Sequence, residues 1–274
     1  MAIHSMAEVL KANTFREKLI RWLAQRAYAP FDRVVSSSLE LKQNLVKLGV
    51  ESDKITVIHN GVDVTRFHPC RCQQQRQQLR LALRLPHNPK DIIVLFVGLK
   101  TPRKGVLPLV QGWKEYRERG GLGHLVLVGP ERREDPNLAD FYIAWDKELL
   151  DAKNYNIELR PSHSAIEQFF QACDVFVFLS DKEGLPNVIP EAMACGIPAL
   201  INHYDGFSNE LARTAIDYLP TTRDPHRIAD DLQRIIDNED LREDLGKNSR
   251  AWVEQQHALD TSIASYCDLI GQLA

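Results

Sequence analysis

No apolar run in the 274-residue sequence approaches the ~20 residues that a membrane-crossing helix requires. The first residues also lack the basic-then-apolar pattern of a secretory leader. No large excess of either charge is present: 34 Lys and Arg face 37 Asp and Glu, and the net charge of −3 gives no general attraction to nucleic acid or anionic lipid. Only five cysteines occur, at 70, 72, 173, 195 and 267. That odd, scattered set speaks against a disulfide framework and for a reducing compartment, so the cytoplasm is the expected location. Cys70-Arg71-Cys72 is too closely spaced for a zinc or redox motif and has no second pair, which leaves two linker thiols as the plainer reading. No Asp/His cluster points to a metal. What remains, 44% hydrophobic and 26% charged, is the composition of an ordinary globular protein with chain enough for one large or two ordinary cores.

Against that background one stretch carries chemistry: Glu183-Gly184-Leu185-Pro186-Asn187-Val188-Ile189-Pro190-Glu191, running on into Ala192-Met193-Ala194-Cys195-Gly196. The apolar run 175–179 before it reads as a buried strand, Ser180-Asp181-Lys182 as its exit loop, and a helix is expected from about Asn187. Pro190 fits a first turn, where its missing N–H would have been unpaired anyway. A helix N-terminus behind a parallel strand offers open amides and partial positive charge, which suits a phosphate or diphosphate. Glu183 lies in the loop above it, and Glu191, about one turn in, leans back toward the same place. A carboxylate beside a phosphate repels it. Two such acids make sense if they accept hydrogen bonds from neutral hydroxyls of the same ligand, a diphosphate flanked by sugars. Either acid alone reads as an ordinary exposed glutamate; the pair favours function.

Taken in order, residues 6–28 space Val9, Leu10, Leu19, Ile20, Leu23 and Ala27 along one face of an amphipathic helix, with Lys11, Arg16, Lys18, Arg21 and Arg26 on the rest. The stripe is modest and Glu8 and Glu17 dilute the charge, so the helix is expected to pack on a sheet with its basic face solvated. Peripheral contact with a membrane is the second reading. Asp32-Arg33-Val34-Val35-Ser36 predicts a strand, Ser37-Ser38 a cap for a helix over 39–48 closed by Gly49, and Ile55-Thr56-Val57-Ile58 the next strand. Asn60-Gly61-Val62-Asp63 is a turn signal. A surface helix within 73–84 follows and is stopped by Pro86-His87-Asn88-Pro89. From Asp91 strands at 92–97, 124–128, 157–159, 174–179 and 198–201 alternate with helices at 105–119, within 138–150, at 164–171 and at 187–195. A last strand is expected at 216–219, then a helical tail over 225–274 with Trp252 and Tyr266 as anchors. The alternation predicts an α/β protein: a Rossmann-like, doubly wound parallel sheet with ligands at the carboxyl edge of its strands.

Several short motifs recur in a fixed order: Asp32-Arg33-Val34-Val35-Ser36-Ser37, Ile58-His59-Asn60-Gly61-Val62-Asp63 with Phe67 and Pro69, Val97-Gly98 with Lys104-Gly105, Leu127-Val128-Gly129, Cys173-Asp174-Val175-Phe176, and the Glu183/Glu191 segment through Ile197-Pro198. In that order they resemble glycosyltransferase family 4, the retaining, nucleotide-sugar-dependent enzymes of the two-domain GT-B fold. The resemblance runs from about Asp32 to the end. It implies that 1–69 is a remnant of the N-terminal, acceptor-binding Rossmann-like domain, 70–90 a linker, and 91–274 the donor-binding domain with its helical tail, most of the acceptor half being absent. It also implies that Glu183 contacts hydroxyls of the transferred sugar, Glu191 the ribose, and the backbone of Gly184, Leu185, Pro186, Asn187 and Val188 the diphosphate. Lys104 and Arg103 then stabilise charge on the departing diphosphate.

The implied donor is a UDP- or GDP-linked sugar, used with no metal or other cofactor, and the implied acceptor is a saccharide or a lipid-linked group; nucleic acid is not an expected partner. The implied activity is hexosyl transfer with retention, in polysaccharide biosynthesis. A binding module without turnover and a sugar-nucleotide epimerase of similar fold are the alternatives. Two departures from the family pattern stand out. Leu99 follows Gly98 where an arginine is usual, leaving Lys100, Arg103 and Lys104 to supply positive charge, and Arg160-Pro161 stands where a glycine often follows the strand, near the base. Glu210 resembles a family loop residue near the donor but also reads as an acid at a helix start. Lys104-Gly105 is not a Walker loop. His163 and His203 read as ordinary loop histidines, and Cys195 as a small core residue.

Overall fold

Two parallel sheets of unequal size organise the chain, which the computed structural model describes over residues 15–184, 186–204, 207, 212–213 and 216–273. The smaller unit comprises α1 (Phe15–Tyr28), β1 (Val34–Ser36), α2 (Leu39–Lys47) and β2 (Ile55–Val57). β1 and β2 pair in parallel, Val34 opposite Ile55. Ser38 caps α2 as its sequence suggests, its Oγ accepting from the Leu41 amide at 3.1 Å. Among the described residues the core here is a small cluster of Leu45, Val50 and Ile55, with Tyr28 and Val34 packed against it. Of the expected stripe within the described part of α1, Ile20 is half-buried while Leu19, Leu23 and Ala27 are exposed; the residue that α1 buries is Ala24, and a two-stranded sheet has little surface to cover more. The part of the predicted helix before Phe15 lies outside the described residues.

After α3 (Gln73–Ala82) come β3 (Ile93–Val97), α4 (Val106–Glu118), β4 (His124–Val128), α5 (Ala139–Leu149), β5 (Ile157–Arg160), α6 (Ile166–Ala172), β6 (Val175–Phe178), α7 (Val188–Ala194), β7 (Ala199–Asn202) and β8 (Leu219–Thr221). The six strands form one sheet in the order β5-β4-β3-β6-β7-β8, every pair parallel. Helices cover both faces, and this explains the unbroken apolar runs of the central strands. Along β3, Ile93 and Leu95 enter one core with Phe176, Ile189 and Met193, while Val94 and Phe96 enter the other with Leu109, Trp113 and Leu232. Each such side chain removed from water contributes about 1.5–3 kcal/mol.

The tail folds as α8 (Pro225–Ile236), α9 (Glu239–Gln256) and α10 (Leu259–Gly271). Trp252 anchors it as expected, packing against the core beneath the Arg213 guanidinium, 4.5 Å from its ring. Tyr266 does not: it is 43% exposed, beside exposed Ile263 and Ile270. The hydrogen bonds that dock α10 come from its start, on the segment before α3, while further along the buried side chain is Leu269 and not Tyr266. The Val62 amide donates to His257 O at 2.8 Å, the Leu259 amide to Val62 O at 2.9 Å, and Ser262 Oγ to His59 O at 2.9 Å.

The strand order places a crevice. The chain runs from β3 outward to β4 and β5, then crosses back to β6 and continues the other way through β7 and β8. Exit loops from β3 and β6 therefore part in opposite directions and leave a gap at their carboxyl ends, the position where doubly wound sheets bind ligands.

Candidate functional site

The β3 exit loop passes Gly98, makes a tight turn at Pro102–Lys104, and enters α4 through Gly105. Gly105 has φ +68°, and a Cβ there would stand 2.2 Å from Leu179 O. Only glycine lets the turn lie this close to the end of β6. The contact is fixed by the Asp181 amide, which donates to Arg103 O at 2.9 Å. Arg103 and Lys104 are thereby carried across the gap to the β6 exit loop.

There three donors converge on one oxygen. Glu183 Oε1 accepts from Arg103 Nη1 at 2.7 Å and from Ser180 Oγ at 2.5 Å, and Lys104 Nζ forms an ion pair with it at 2.6 Å. Arg103 also donates to Lys182 O at 2.7 Å. The Lys104 ammonium lies 5.5 Å from the centroid of the Phe178 ring. Ser180 is fully buried, and its carbonyl accepts from Asn202 Nδ2 at 2.8 Å, which ties the loop to β7. Two cations against one carboxylate leave the rim of the crevice positive, and the half-exposed Arg103 faces solvent, an arrangement suited to an anionic group such as a diphosphate.

The opposite wall is the start of α7. Pro190 occupies the first turn, the Ile189 amide donates to Pro186 O at 3.2 Å, and Glu191 N donates to Asn187 O at 3.0 Å. Among the described residues no backbone acceptor engages the Asn187 or Val188 amide. Asn187 Oδ1 accepts from Asn60 Nδ2 at 3.0 Å, so the segment before α3 reaches this loop. Glu191 is half-buried, and burial pushes its carboxyl up, with Arg66 as the opposing positive charge. Arg66 itself binds Glu167 Oε2 at 2.8 Å and Ser164 O at 3.1 Å. Leu185 and Glu210 lie outside the described residues.

The structure thus brings Glu183, Lys104 and Arg103 into one cluster, and puts Gly184, Pro186, Asn187, Val188 and Glu191 on the loop and helix that follow it. One expectation requires correction. Lys100 does not supply charge to the crevice: it is buried, its Nζ donates to Gly129 O and, at 3.0 Å, to Arg160 O, and burial lowers its ammonium pKa. Gly129 O, just past β4, has no backbone donor among the described residues and takes this lysine instead, which also shares Arg160 O with the Gly129 amide. Arg160 is likewise engaged, with Glu158 at 2.6 Å and with the carbonyls of Leu83 and Arg84 that end α3 at 3.2 and 2.9 Å. It joins α3 to β5.

The other residues are plainer. His163 Nδ1 accepts from the Ala165 amide at 3.2 Å, and the His203 ring lies edge-on to Phe207. Cys173 and Cys195 are buried free thiols, both pushed up by burial, and Cys70 and Cys72 are free thiols beside α3. Among the described residues no three His, Cys, Asp or Glu side chains are grouped to hold a metal, and no helix is long and apolar enough to cross a membrane. Ser180, Asn202 and Arg66 are site residues that sequence reasoning misses. The one available signal is a serine standing directly after an apolar strand.

Residues 80–252, more than half of the chain, match the model of the family described as glycosyl transferases group 1. The chain belongs to that family. Residues 2–66 match a second model, glycosyltransferase family 4. The capsular polysaccharide biosynthesis glycosyltransferase CapM of Staphylococcus aureus is 24% identical over 228 residues, covering 81% of this chain and 57% of CapM. A GDP-mannose-dependent alpha-(1-6)-phosphatidylinositol monomannoside mannosyltransferase of Mycobacterium tuberculosis is 28% identical over 212 residues, covering 77% of this chain and 54% of that protein. The chain spans little more than half the length of these curated relatives. Among solved structures, Anabaena HepE in complex with UDP superposes with a TM-score of 0.80 at 19% identity, over 94% of this chain and 68% of HepE. Sucrose-phosphate synthase from Thermosynechococcus elongatus superposes with a TM-score of 0.72 at 22% identity, over 99% of this chain and 66% of that one. Both likenesses are of fold.

Proposed function

We propose that this chain binds a nucleoside diphosphate sugar in the crevice between the β3 and β6 exits and transfers the sugar, with retention of anomeric configuration, to a saccharide or lipid-linked acceptor. The observation that carries the reading is the convergence of Lys104, Arg103 and Ser180 on Glu183 Oε1 at the point where strand order reverses. Lys104 and Arg103 meet the diphosphate and stabilise the charge that grows on it as the bond to the anomeric carbon breaks. Glu183 Oε1 accepts two hydrogen bonds, from Arg103 and Ser180, and is ion-paired with Lys104, which makes it a weak nucleophile and fits it to hold sugar hydroxyls instead. Retention then follows from a front-face course. The acceptor oxygen bonds to the anomeric carbon on the side the diphosphate leaves, and the acceptor proton passes to a diphosphate oxygen. Glu191 takes the ribose hydroxyls, and the Asn187 and Val188 amides the phosphates.

The relatives' names support the donor and acceptor classes. One is GDP-mannose-dependent, HepE is in complex with UDP, and a Campylobacter jejuni relative acts on a diphospho-undecaprenol-linked sugar. In the same reading 1–69 belongs to the acceptor side, 70–90 is a linker and 91–274 is the donor side.

Calorimetric titration with UDP, GDP, UDP-glucose and GDP-mannose, followed by product analysis with polyprenyl-diphosphate-linked saccharides, tests this. Saturable binding of a nucleotide sugar and a product of unchanged anomeric configuration are expected. Binding without transfer or donor hydrolysis would favour a binding module, an inverted product would refute the front-face course, and no nucleotide binding would refute the donor site.

A further inference from the structure

Two residues past the end of β7, Tyr204 turns its ring against two phenylalanines. It lies edge-on to Phe178 of β6 with centroids 5.5 Å apart, and edge-on to Phe207 at 5.3 Å. Tyr204 is only 7% exposed, yet its hydroxyl has no hydrogen-bond partner among the described residues. Folded proteins rarely leave such a group unpaired, since an orphaned buried hydroxyl is destabilising. Ring packing alone would be served as well by a third phenylalanine, so the oxygen needs a separate reason.

Its surroundings supply one. The Phe178 ring that packs against Tyr204 is the same ring over which the Lys104 ammonium stands. Asn202, two residues earlier, holds the carbonyl of Ser180, and the Ser180 hydroxyl holds Glu183. Tyr204 is therefore built into the same cluster at the carboxyl edge of the sheet. Burial, then the Glu183 carboxylate, then Glu40 raise its phenol pKa, so it stays a neutral O–H that both donates and accepts. A diphosphate selects cations and open amides, and the ribose falls to Glu191. A neutral hydroxyl beside Glu183 matches a neutral hydroxyl.

We propose that Tyr204 Oη hydrogen-bonds a hydroxyl of the transferred sugar beside Glu183, and so takes part in selecting which sugar the donor carries. The assignment rests on the donor reading above. It adds a residue from the β7 exit to a site otherwise built from the β3 and β6 exits.

The test is Tyr204→Phe in the full chain, read by thermal melting and by calorimetry with UDP, GDP, UDP-glucose and GDP-mannose. The variant removes an oxygen that is unpaired in the free protein, so Tm should hold or rise. Bare UDP or GDP should bind as before, while the favoured sugar conjugate weakens roughly two- to tenfold, the worth of one neutral hydrogen bond. A fall in Tm would make the hydroxyl structural and overturn the proposal, as would an unchanged ratio of affinities between conjugate and bare nucleotide. If the wild-type chain binds no nucleotide, the donor reading fails and this assignment with it. If the wild type binds and the variant matches it for every probe, only the Tyr204 assignment fails.

Discussion

Glutamine in place of Glu183 keeps the shape of the side chain and removes the charge on which Lys104, Arg103 and Ser180 converge at 2.6, 2.7 and 2.5 Å. Stability and binding should respond separately. In the fold the Lys104 arm dominates, since the side chains at its two ends are 16% and 13% exposed. The Arg103 arm, 50% exposed at the arginine, is screened by water and adds about 0–1 kcal/mol. Removing one partner of a fully buried pair costs about 3–5 kcal/mol, but glutamine still offers an acceptor and this pair is not fully buried. A loss of about 1–2 kcal/mol is expected, a fall in Tm of roughly 3–6 °C for a chain of this size. In binding, a charge-assisted hydrogen bond to a sugar hydroxyl becomes a neutral one. The difference is about 1–1.5 kcal/mol, so a nucleotide sugar should bind roughly five- to twelvefold more weakly. Bare nucleoside diphosphate should bind as well or better, because Lys104 and Arg103 are no longer shared with a carboxylate. Differential scanning fluorimetry and calorimetry with UDP and UDP-glucose, or GDP and GDP-mannose, separate the two effects. If conjugate and bare nucleotide weaken by the same factor, Glu183 serves only to position the cations and its assignment to the sugar is wrong.

Glu191→Gln tests the second acid through pH. Burial raises the folded-state carboxyl above its unfolded value, so the penalty for charging it is absent below the usual carboxylate range and present above the raised value. The variant should therefore melt higher than wild type at pH 7–8, with the difference vanishing near pH 4, while nucleotide affinity falls; melts across that range and one titration check it. Arg250→Met removes a guanidinium that donates to Phe67 O at 2.7 Å, Val64 O at 3.4 Å and Ala194 O. A loss of about 2–3 kcal/mol, or roughly 5–10 °C in Tm, is expected, with lysine restoring only part because it cannot span all three carbonyls. Gly105→Ala places a Cβ 2.2 Å from Leu179 O at a left-handed φ. It should cost about 1–3 kcal/mol in stability and, by displacing Lys104, lower nucleoside diphosphate affinity on the order of tenfold, as melting and titration will show.

The large sheet is legible in the sequence because central parallel strands bury both faces and so appear as short apolar runs, such as Ile93–Val97 and Val175–Phe178, set between helical patterns. Glu183 and Lys104 are legible because both follow such runs directly. Lys100 is not. In sequence it is one of three cations after the same strand, and only the fold shows it drawn inward to the carbonyls of Gly129 and Arg160 while Arg103 and Lys104 cross to β6. Ser180, Asn202 and Tyr204 are hidden for a related reason. Asn202 reaches Ser180 across 22 residues, and the Tyr204 hydroxyl meets no partner among the described residues, and no local period records either. Trp252 and Tyr266 show the limit for packing: both are large residues on amphipathic helices, and which one is an anchor depends on the surface its helix meets.

The two acids that the sequence sets side by side rest on different supports. Glu183 is held by side chains from the β3 and β6 exits and, through Ser180 and Asn202, by β7, all within one sheet. Glu191 sits on α7, seven residues long and too short to be stable alone. That helix is held at its start by Asn60 on Asn187 and at its end by Arg250, which bonds Ala194 O together with the Val64 and Phe67 carbonyls. Arg66, from the same segment, supplies the positive charge nearest Glu191 and grips α6 through Glu167. The segment around 60–67 thus sets the orientation of α7 and the electrostatics of Glu191, whereas the described partners of Glu183 come from the β3 and β6 exits. A shift of that segment relative to the large sheet would act first on α7 and Glu191, the place proposed for the ribose, and less on the Lys104–Glu183 cluster proposed for the transferred sugar.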